Sequence, residues 1–309
     1  MMKTVPLGGS GIYVTPLCFG TLSLSPLQQE APPHGPLACA LELGINFLDT
    51  AQLYGNYDVI RKALRQTGRE PVIASKTYAH TYFGAEEAIE EARQELDRDV
   101  IDIFLLHEQE SEHTLRGHAP ALEALYGAKA KGTVRAVGLS SHHIAGVYAA
   151  IEAGLDIIHP LINIKGLGIA DGSREDMEEA VSKARKRGIG VYVMKALGGG
   201  HLFRDACQAL SYARGWGDSV AVGMRDQDEV LANISFFETG TASMPKEQAP
   251  RRLHIADWCG GCGGCVSVCP SGALALSEKG KAVLKENGTG CMLCGYCGAA
   301  CPWFCIKVV

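Results

Sequence analysis

The chain has 309 residues, enough for one large domain and a small one, and with 47% of them apolar against 20% charged it can bury a sizeable core. A net charge of −5 argues against a general binder of nucleic acid. The opening MMKTVPLGGSGIYV lacks an apolar stretch behind a basic flank, and no apolar run is long enough to cross a bilayer, so a cytoplasmic protein without membrane attachment is expected.

Eight short apolar runs follow one another: VTPLCFG (14–20), INFLDT (45–50), VIASK (72–76), IDIFLLH (101–107), AVGLSS (136–141), IIHPLIN (157–163), GVYVMKA (190–196) and SVAVGM (219–224). Amphipathic stretches lie between them, such as AEEAIEEARQEL (85–96) and REDMEEAVSKARKR (174–187), and DEVLANISFF (228–237) follows the eighth. In the 174–187 stretch the acidic residues come early and the basic ones late, as a helix dipole prefers. Eight strand–helix units in about 225 residues predict an α/β fold, a closed (β/α)8 TIM barrel. No G-x-G-x-x-G follows the first run, which counts against an open doubly wound sheet.

In such a barrel the C-terminal ends of the strands form the active face. Asp49 ends the second run, Lys76 the third and His107 the fourth, while Tyr54 follows in the loop DTAQLYGN. These side chains make a coherent set. A phenol titrating near pH 10 is a poor acid at neutral pH, and a neighbouring ammonium lowers its pKa. A carboxylate fixes that ammonium, and a neutral imidazole can orient a carbonyl, so the set describes a proton donor aimed at a carbonyl oxygen. Singly, each residue has a duller account: Asp49 as a helix cap, Lys76 as a solvated strand end, His107 as a satisfied core histidine. Glu108 to His113, in HEQESEH, reads as a charged, solvated loop rather than a metal site.

FLDTAQLYG, VIASK, IDIFLLH, RAVGLSSH and VYVMKALGGG, in that order, resemble the aldo-keto reductase family over about residues 3–240. The resemblance implies a (β/α)8 barrel that reduces a small-molecule aldehyde or ketone with NADPH or NADH. It implies a tetrad of Asp49, Tyr54, Lys76 and His107, with Tyr54 the general acid. It further implies cofactor contacts from Gly20 and Thr21, from Ser140 and Ser141, from His159, from Met194, Lys195, Leu197 and Gly198, and from Gly223, Arg225 and Asn233. Family members usually carry Asn where Ser141 stands, many carry Gln in place of His159, and many place an aromatic residue where Met194 is. Glu229 stands where an Arg usually holds the 2′-phosphate. A carboxylate there repels that phosphate and accepts hydrogen bonds from a ribose diol, and Arg225 can compensate, so NADP(H) and NAD(H) both stay open.

The polar stretch TASMPKEQAPRR (241–252) marks a boundary between a first domain, 1–245, and a second, 251–309. Residues from Arg251 on carry six basic and three acidic side chains, a net +3, which leaves −8 on the rest. They also hold nine of the 12 cysteines. Reduced thiols in such number point to metal. CGGCGGCVSVCP and CMLCGYCGAACP are two copies of C-x2-C-x2-C-x3-C-P, a spacing in which three thiolates grip one cluster and the fourth reaches the other. Cys259, Cys262, Cys265 and Cys301 are expected on one [4Fe–4S] cluster, and Cys291, Cys294, Cys297 and Cys269 on a second. The stretch 255–309 thus resembles a bacterial two-cluster ferredoxin, a small α+β domain. Two zinc ions are the plainer alternative, but zinc sites present separated cysteine pairs. Cys305, Cys18, Cys39 and Cys207 read as small buried residues.

A cluster passes single electrons and a nicotinamide passes a hydride, so traffic between the halves calls for a flavin, either FMN on the barrel or a partner flavoprotein. Three readings follow. The barrel is a nicotinamide-dependent carbonyl reductase whose tail meets a redox partner, a ferredoxin or flavoprotein, or serves as a folding staple. Or it is a flavin-linked enzyme coupling clusters to a substrate. Or it is a non-enzymatic sensor or scaffold, against which the complete tetrad argues.

Overall fold

A computed structural model describes residues 2–25, 35–241, 252–285, 290–303 and 305–308. The boundary expected between 245 and 251 lies outside the described residues. A short hairpin, β1 (Val5–Pro6) and β2 (Tyr13–Val14), precedes the barrel strands β3 (Leu17–Gly20), β4 (Phe47–Asp49), β5 (Val72–Thr77), β6 (Ile101–Leu106), β7 (Val134–Ser141), β8 (Ile157–Pro160), β9 (Gly190–Val193) and β10 (Ser219–Gly223). These eight close into one barrel, each parallel to its neighbours, with β10 pairing both β3 and β9. Every barrel strand falls within or across one of the eight apolar runs.

Helices alternate with the strands, and their ends follow local chemistry. Over Arg174–Lys186 a capping box joins Ser173 to Asp176, and basic residues close the last turn. Tyr82–Leu96 is capped by Thr81 and Gln227–Thr239 by Asp226. Among the described residues no helix is long and apolar enough to cross a membrane.

The barrel interior is filled by Phe47, Ile103, Leu105, Ile157 and Tyr192, and the hairpin plugs its lower end with Leu7 and Ile12. Nothing in the periodicity announces that plug. It depends on Gly8, at φ +53, where a Cβ would stand 2.3 Å from the Gly190 nitrogen.

The cysteine-rich segment forms two small antiparallel pairs, β11 (Leu253–Ile255) with β14 (Ile306–Val308) and β12 (Leu274–Leu276) with β13 (Ala282–Leu284). Two one-turn helices, Gly264–Ser267 and Tyr296–Ala299, repeat the same local turn, each entered through a left-handed glycine, Gly263 at φ 75 and Gly295 at φ 85. The second of these loops seats on the upper end of the barrel. His201 Nε2 lies 2.6 Å from the Cys291 carbonyl oxygen. A Cβ on Gly199 would stand 2.1 Å from the Met292 oxygen, and one on Gly168 2.5 Å from the Met292 sulfur.

Gly138 on β7 offers a direct check of barrel packing, since an added Cβ would stand 2.0 Å from the Ile157 carbonyl oxygen on the next strand. Gly138→Ala should cost about 2–3 kcal/mol. Gly117→Ala, where a Cβ meets nothing within 4 Å, should be neutral. Paired thermal unfolding curves measure the difference, and equal midpoints would contradict the packing described.

Candidate active site at the barrel mouth

The register sets the site. Asp49 pairs with Ala74, so Lys76, two residues on, points to the same face. Lys76 Nζ stands 2.8 Å from Asp49 Oδ1 and 2.9 Å from Oδ2, and donates to the Thr50 carbonyl at 2.7 Å. Both side chains are buried, Lys76 at 1% and Asp49 at 5% exposure. Tyr192, at the barrel centre, donates to Asp49 Oδ1 at 2.9 Å. His159 stacks on the Tyr192 ring at 3.9 Å, and its Nδ1 donates to the Tyr192 carbonyl at 2.6 Å. Its Nε2 then faces Asp49 Oδ1 at 3.6 Å. Burial holds the His159 imidazole down to about 4, partly opposed by the Asp49 charge, so this ring is neutral.

Tyr54 ends the single turn Gln52–Tyr54, and Gly55 at φ 59 turns the chain away behind it. The Lys76 ammonium lies 5.1 Å from the centre of the Tyr54 ring. The net push on the phenol is upward: burial dominates, the Asp49 charge adds to it, and the neighbouring Tyr296 hydroxyl opposes it. The sequence leads one to expect the ammonium to lower this pKa. Here Lys76 is spent on Asp49 and the Thr50 carbonyl, and desolvation wins.

His107 meets the Tyr54 ring edge-on at 5.9 Å and stacks on Tyr78 at 4.3 Å. Burial, with the Lys76 charge second, holds it well below the usual imidazole range, so it is neutral. Its Nδ1 has no partner among the described residues. Glu108 does not sit in a solvated loop. It turns inward, accepts from the Tyr78 hydroxyl at 2.6 Å and faces His142 Nε2 at 3.7 Å, and burial raises its pKa. Gln109 beside it is buried as well.

Asp49 and Tyr54 open onto a cavity of about 240 Å³. Of the residues expected at the cofactor, Gly20, His159, Met194, Lys195, Leu197, Gly223, Arg225 and Asn233 line it. Thr21, Ser140, Ser141 and Gly198 do not. The Ser140 hydroxyl accepts from the Glu108 amide at 2.9 Å, and the Ser141 hydroxyl donates to the Gln109 carbonyl at 2.7 Å, so both brace the loop after β6. Glu229 lines the far end, where it accepts from the Arg225 amide at 2.8 Å and pairs with its guanidinium at 3.6 Å. Two buried polar atoms there suit a nucleotide. Asn233 Oδ1 on the wall, and Thr21 Oγ1 between the lining residues Gly20 and Leu22, lack a partner among the described residues.

Cys259, Cys262, Cys265 and Cys301 surround one hollow, together with Gly260, Gly261 and Gly263. They spread around it, since among the described residues no three His, Cys, Asp or Glu side chains close on a single-ion position. Backbone amides aim at the sulfurs: Ala282 at Cys259 Sγ, 3.4 Å, and Cys305 at Cys301 Sγ, 3.3 Å. Such a donor set fits an iron–sulfur cluster. In the second group Cys269, Cys291 and Cys294 are close enough for their charges to bear on Cys297, and the Ala273 amide donates to Cys269 Sγ at 3.3 Å. Cys18 and Cys305 are buried as expected, whereas Cys39 and Cys207 are only half-buried.

Sequence reasoning missed Met292 and Leu293, which wall the cavity, and Tyr296 on Tyr54. It also missed Tyr192. The mismatch between the two cysteine copies was the available signal for the first three.

A family model described as the aldo/keto reductase family matches residues 16–214, and one described as a 4Fe-4S dicluster domain matches residues 253–302. The chain is 27% identical over 165 residues to a methylglyoxal reductase of Yersinia pestis, covering 50% of this chain and 58% of that protein. It is 30% identical over 154 residues to an aldo-keto reductase of Mycolicibacterium paratuberculosis, covering 46% and 53%. The chain thus spans about half the length of the curated relatives it matches. An aldo-keto reductase from Bacillus halodurans in its holo form superposes with a TM-score of 0.65 at 23% identity, over 79% of this chain and 93% of that one, a likeness of fold.

Removing Lys76 alone leaves the Asp49 carboxylate buried without its cation. Lys76→Met should therefore destabilise the barrel by about 3–5 kcal/mol, and adding Asp49→Asn should restore much of it. Urea unfolding of the two variants tests this; a double variant no more stable than the single would count against the pairing.

Proposed function

This chain belongs to the aldo/keto reductase family, and on that premise we propose that its barrel reduces an aldehyde or ketone to an alcohol. The observation that carries this reading is the buried Lys76–Asp49 pair beside Tyr54, with Asp49 and Tyr54 lining the cavity. A bound NADPH or NADH would supply the hydride. Gly20, His159, Met194 and Lys195 would hold its reacting end, and Gly223, Arg225 and Asn233 its adenosine end. The internal Arg225–Glu229 pair weakens any grip on a 2′-phosphate, which favours NADH. Tyr54 gives its proton to the carbonyl oxygen, neutral His107 orients that oxygen, and Lys76, held by Asp49, stabilises the phenolate left behind. Methylglyoxal, which names the substrate of one relative, is the first carbonyl to test.

A second reading draws on the cysteine loop in the cavity wall. Cys259, Cys262, Cys265 and Cys301 would hold one [4Fe–4S] cluster, and Cys269, Cys291, Cys294 and Cys297 a second. The first set opens outward at exposed Cys262; Trp303, which lines the same hollow, is 64% exposed, and Trp258, next to Cys259 in the chain, is 70% exposed. The second abuts the cavity through Met292 and Leu293. Electrons from a ferredoxin or flavoprotein could enter at one face and reach the other, with FMN in the cavity converting single electrons to pairs.

Tyr54→Phe should lower carbonyl reduction by about 10²-fold or more while iron and sulfide content stay unchanged; retained turnover would refute the acid role. Cys262→Ser should lose about half of the iron. Unchanged hydride transfer after that loss supports the first reading, and a slowed rate supports the second.

A further inference from the structure

The two cysteine copies differ where they meet the barrel. The first reads Cys-Gly-Gly-Cys-Gly-Gly-Cys, the second Cys-Met-Leu-Cys-Gly-Tyr-Cys. Gly260, Gly261 and Gly264 are thus replaced by Met292, Leu293 and Tyr296. Gly261 and Leu293 hold the same left-handed turn, at φ 71 and φ 51. Leucine bears a strain there that glycine does not. All three replacements are buried against the barrel, at 3%, 5% and 7% exposure. Met292 fits only because Gly168 and Gly199 leave room for it. The backbone on the barrel side is strained as well. Lys195 at φ 60 and Glu108 at φ 49, like Leu293, are non-glycine residues in the left-handed region at this contact.

Tyr296 carries the chemical consequence. It packs with Ala51 and Tyr54 in one buried cluster, its ring meets His107 edge-on at 6.4 Å, and its hydroxyl stands near enough to that of Tyr54 to bear on the phenol. A carbonyl oxygen that takes a proton from Tyr54 must come within hydrogen-bond reach of the same phenol oxygen, on the side where His107 can orient it. We infer that Tyr296 is the specificity-determining residue of this site, occupying the carbonyl position so that a substrate reaches Tyr54 only by displacing the tyrosine of the cysteine loop. The iron–sulfur segment thereby walls the substrate position, and slim carbonyls are favoured over bulky ones. This rests on the reading of Tyr54 as the proton donor.

The test uses the full chain, purified anaerobically, with propanal and 4-nitrobenzaldehyde as probes. Tyr296→Phe removes the competing hydroxyl and Tyr296→Ala the ring as well; iron and sulfide content identifies variants that keep their clusters. Tyr296→Ala should lower KM for 4-nitrobenzaldehyde about tenfold with kcat undiminished, and Tyr296→Phe should lower it for propanal, since no second hydroxyl competes with the substrate oxygen for the Tyr54 phenol. Calorimetric titration with 4-nitrobenzyl alcohol, without nicotinamide, should show the same tightening in Tyr296→Ala. A fall in kcat at constant KM would overturn the proposal, because it would make Tyr296 a helper of Tyr54. Unchanged alcohol affinity would overturn it too. If Tyr54→Phe still turns over, the acid assignment fails by itself, and the titration still decides whether Tyr296 fills the pocket.

Discussion

An ammonium and a carboxylate sit at the end of two adjacent strands, almost sealed from solvent, and the barrel mouth is arranged around them. Desolvating two charges is costly, and a pair of this kind adds little net stability over apolar residues of the same size. What it provides is position. The Lys76 ammonium has Asp49 and the Thr50 carbonyl as acceptors, and the Asp49 carboxylate also accepts from Tyr192. Every group that faces the cavity from below is thereby tied to the strand register. The pair can be held so deep because β4 and β5 present alternate residues to the same interior, and because the N-terminal hairpin closes the opposite end against water.

The upper face is closed by the iron–sulfur segment. Its second cysteine loop contributes apolar wall residues, a backbone carbonyl to His201 and a phenol to Tyr54. Three residues in the left-handed region meet at this contact. Strain of that kind persists only where surrounding packing over-determines it, and it concentrates at working sites. The site is therefore shared between the halves: the barrel supplies the ion pair, the neutral histidines and the floor, and the cysteine segment supplies the lid. A change in the second cysteine group would be felt directly at Tyr54 through Tyr296.

The eight strands were legible because each is a short apolar run ending in a turn, and the helices because their caps are local. Asp49, Lys76 and His107 were legible as polar residues at strand ends. Ser140 and Ser141 were not, because a serine at the end of a strand can face the cavity or brace the neighbouring loop, and only the fold of the Glu108 loop decides it. Glu108 looked solvated because its neighbours in sequence are charged; its neighbours in space are Tyr78 and His142.

By itself the sequence determined the barrel, the cysteine groups and the residue types at the strand ends, since those rest on periodicity and spacing along the chain. Tertiary structure decided how the halves meet. Whether Tyr296 stands in solvent or against Tyr54 depends on the close approach of Met292 to Gly168 and Gly199, residues far apart in the chain. The balance on the Tyr54 phenol was decided there too, because desolvation is a property of what surrounds a group in space, and no local pattern records it.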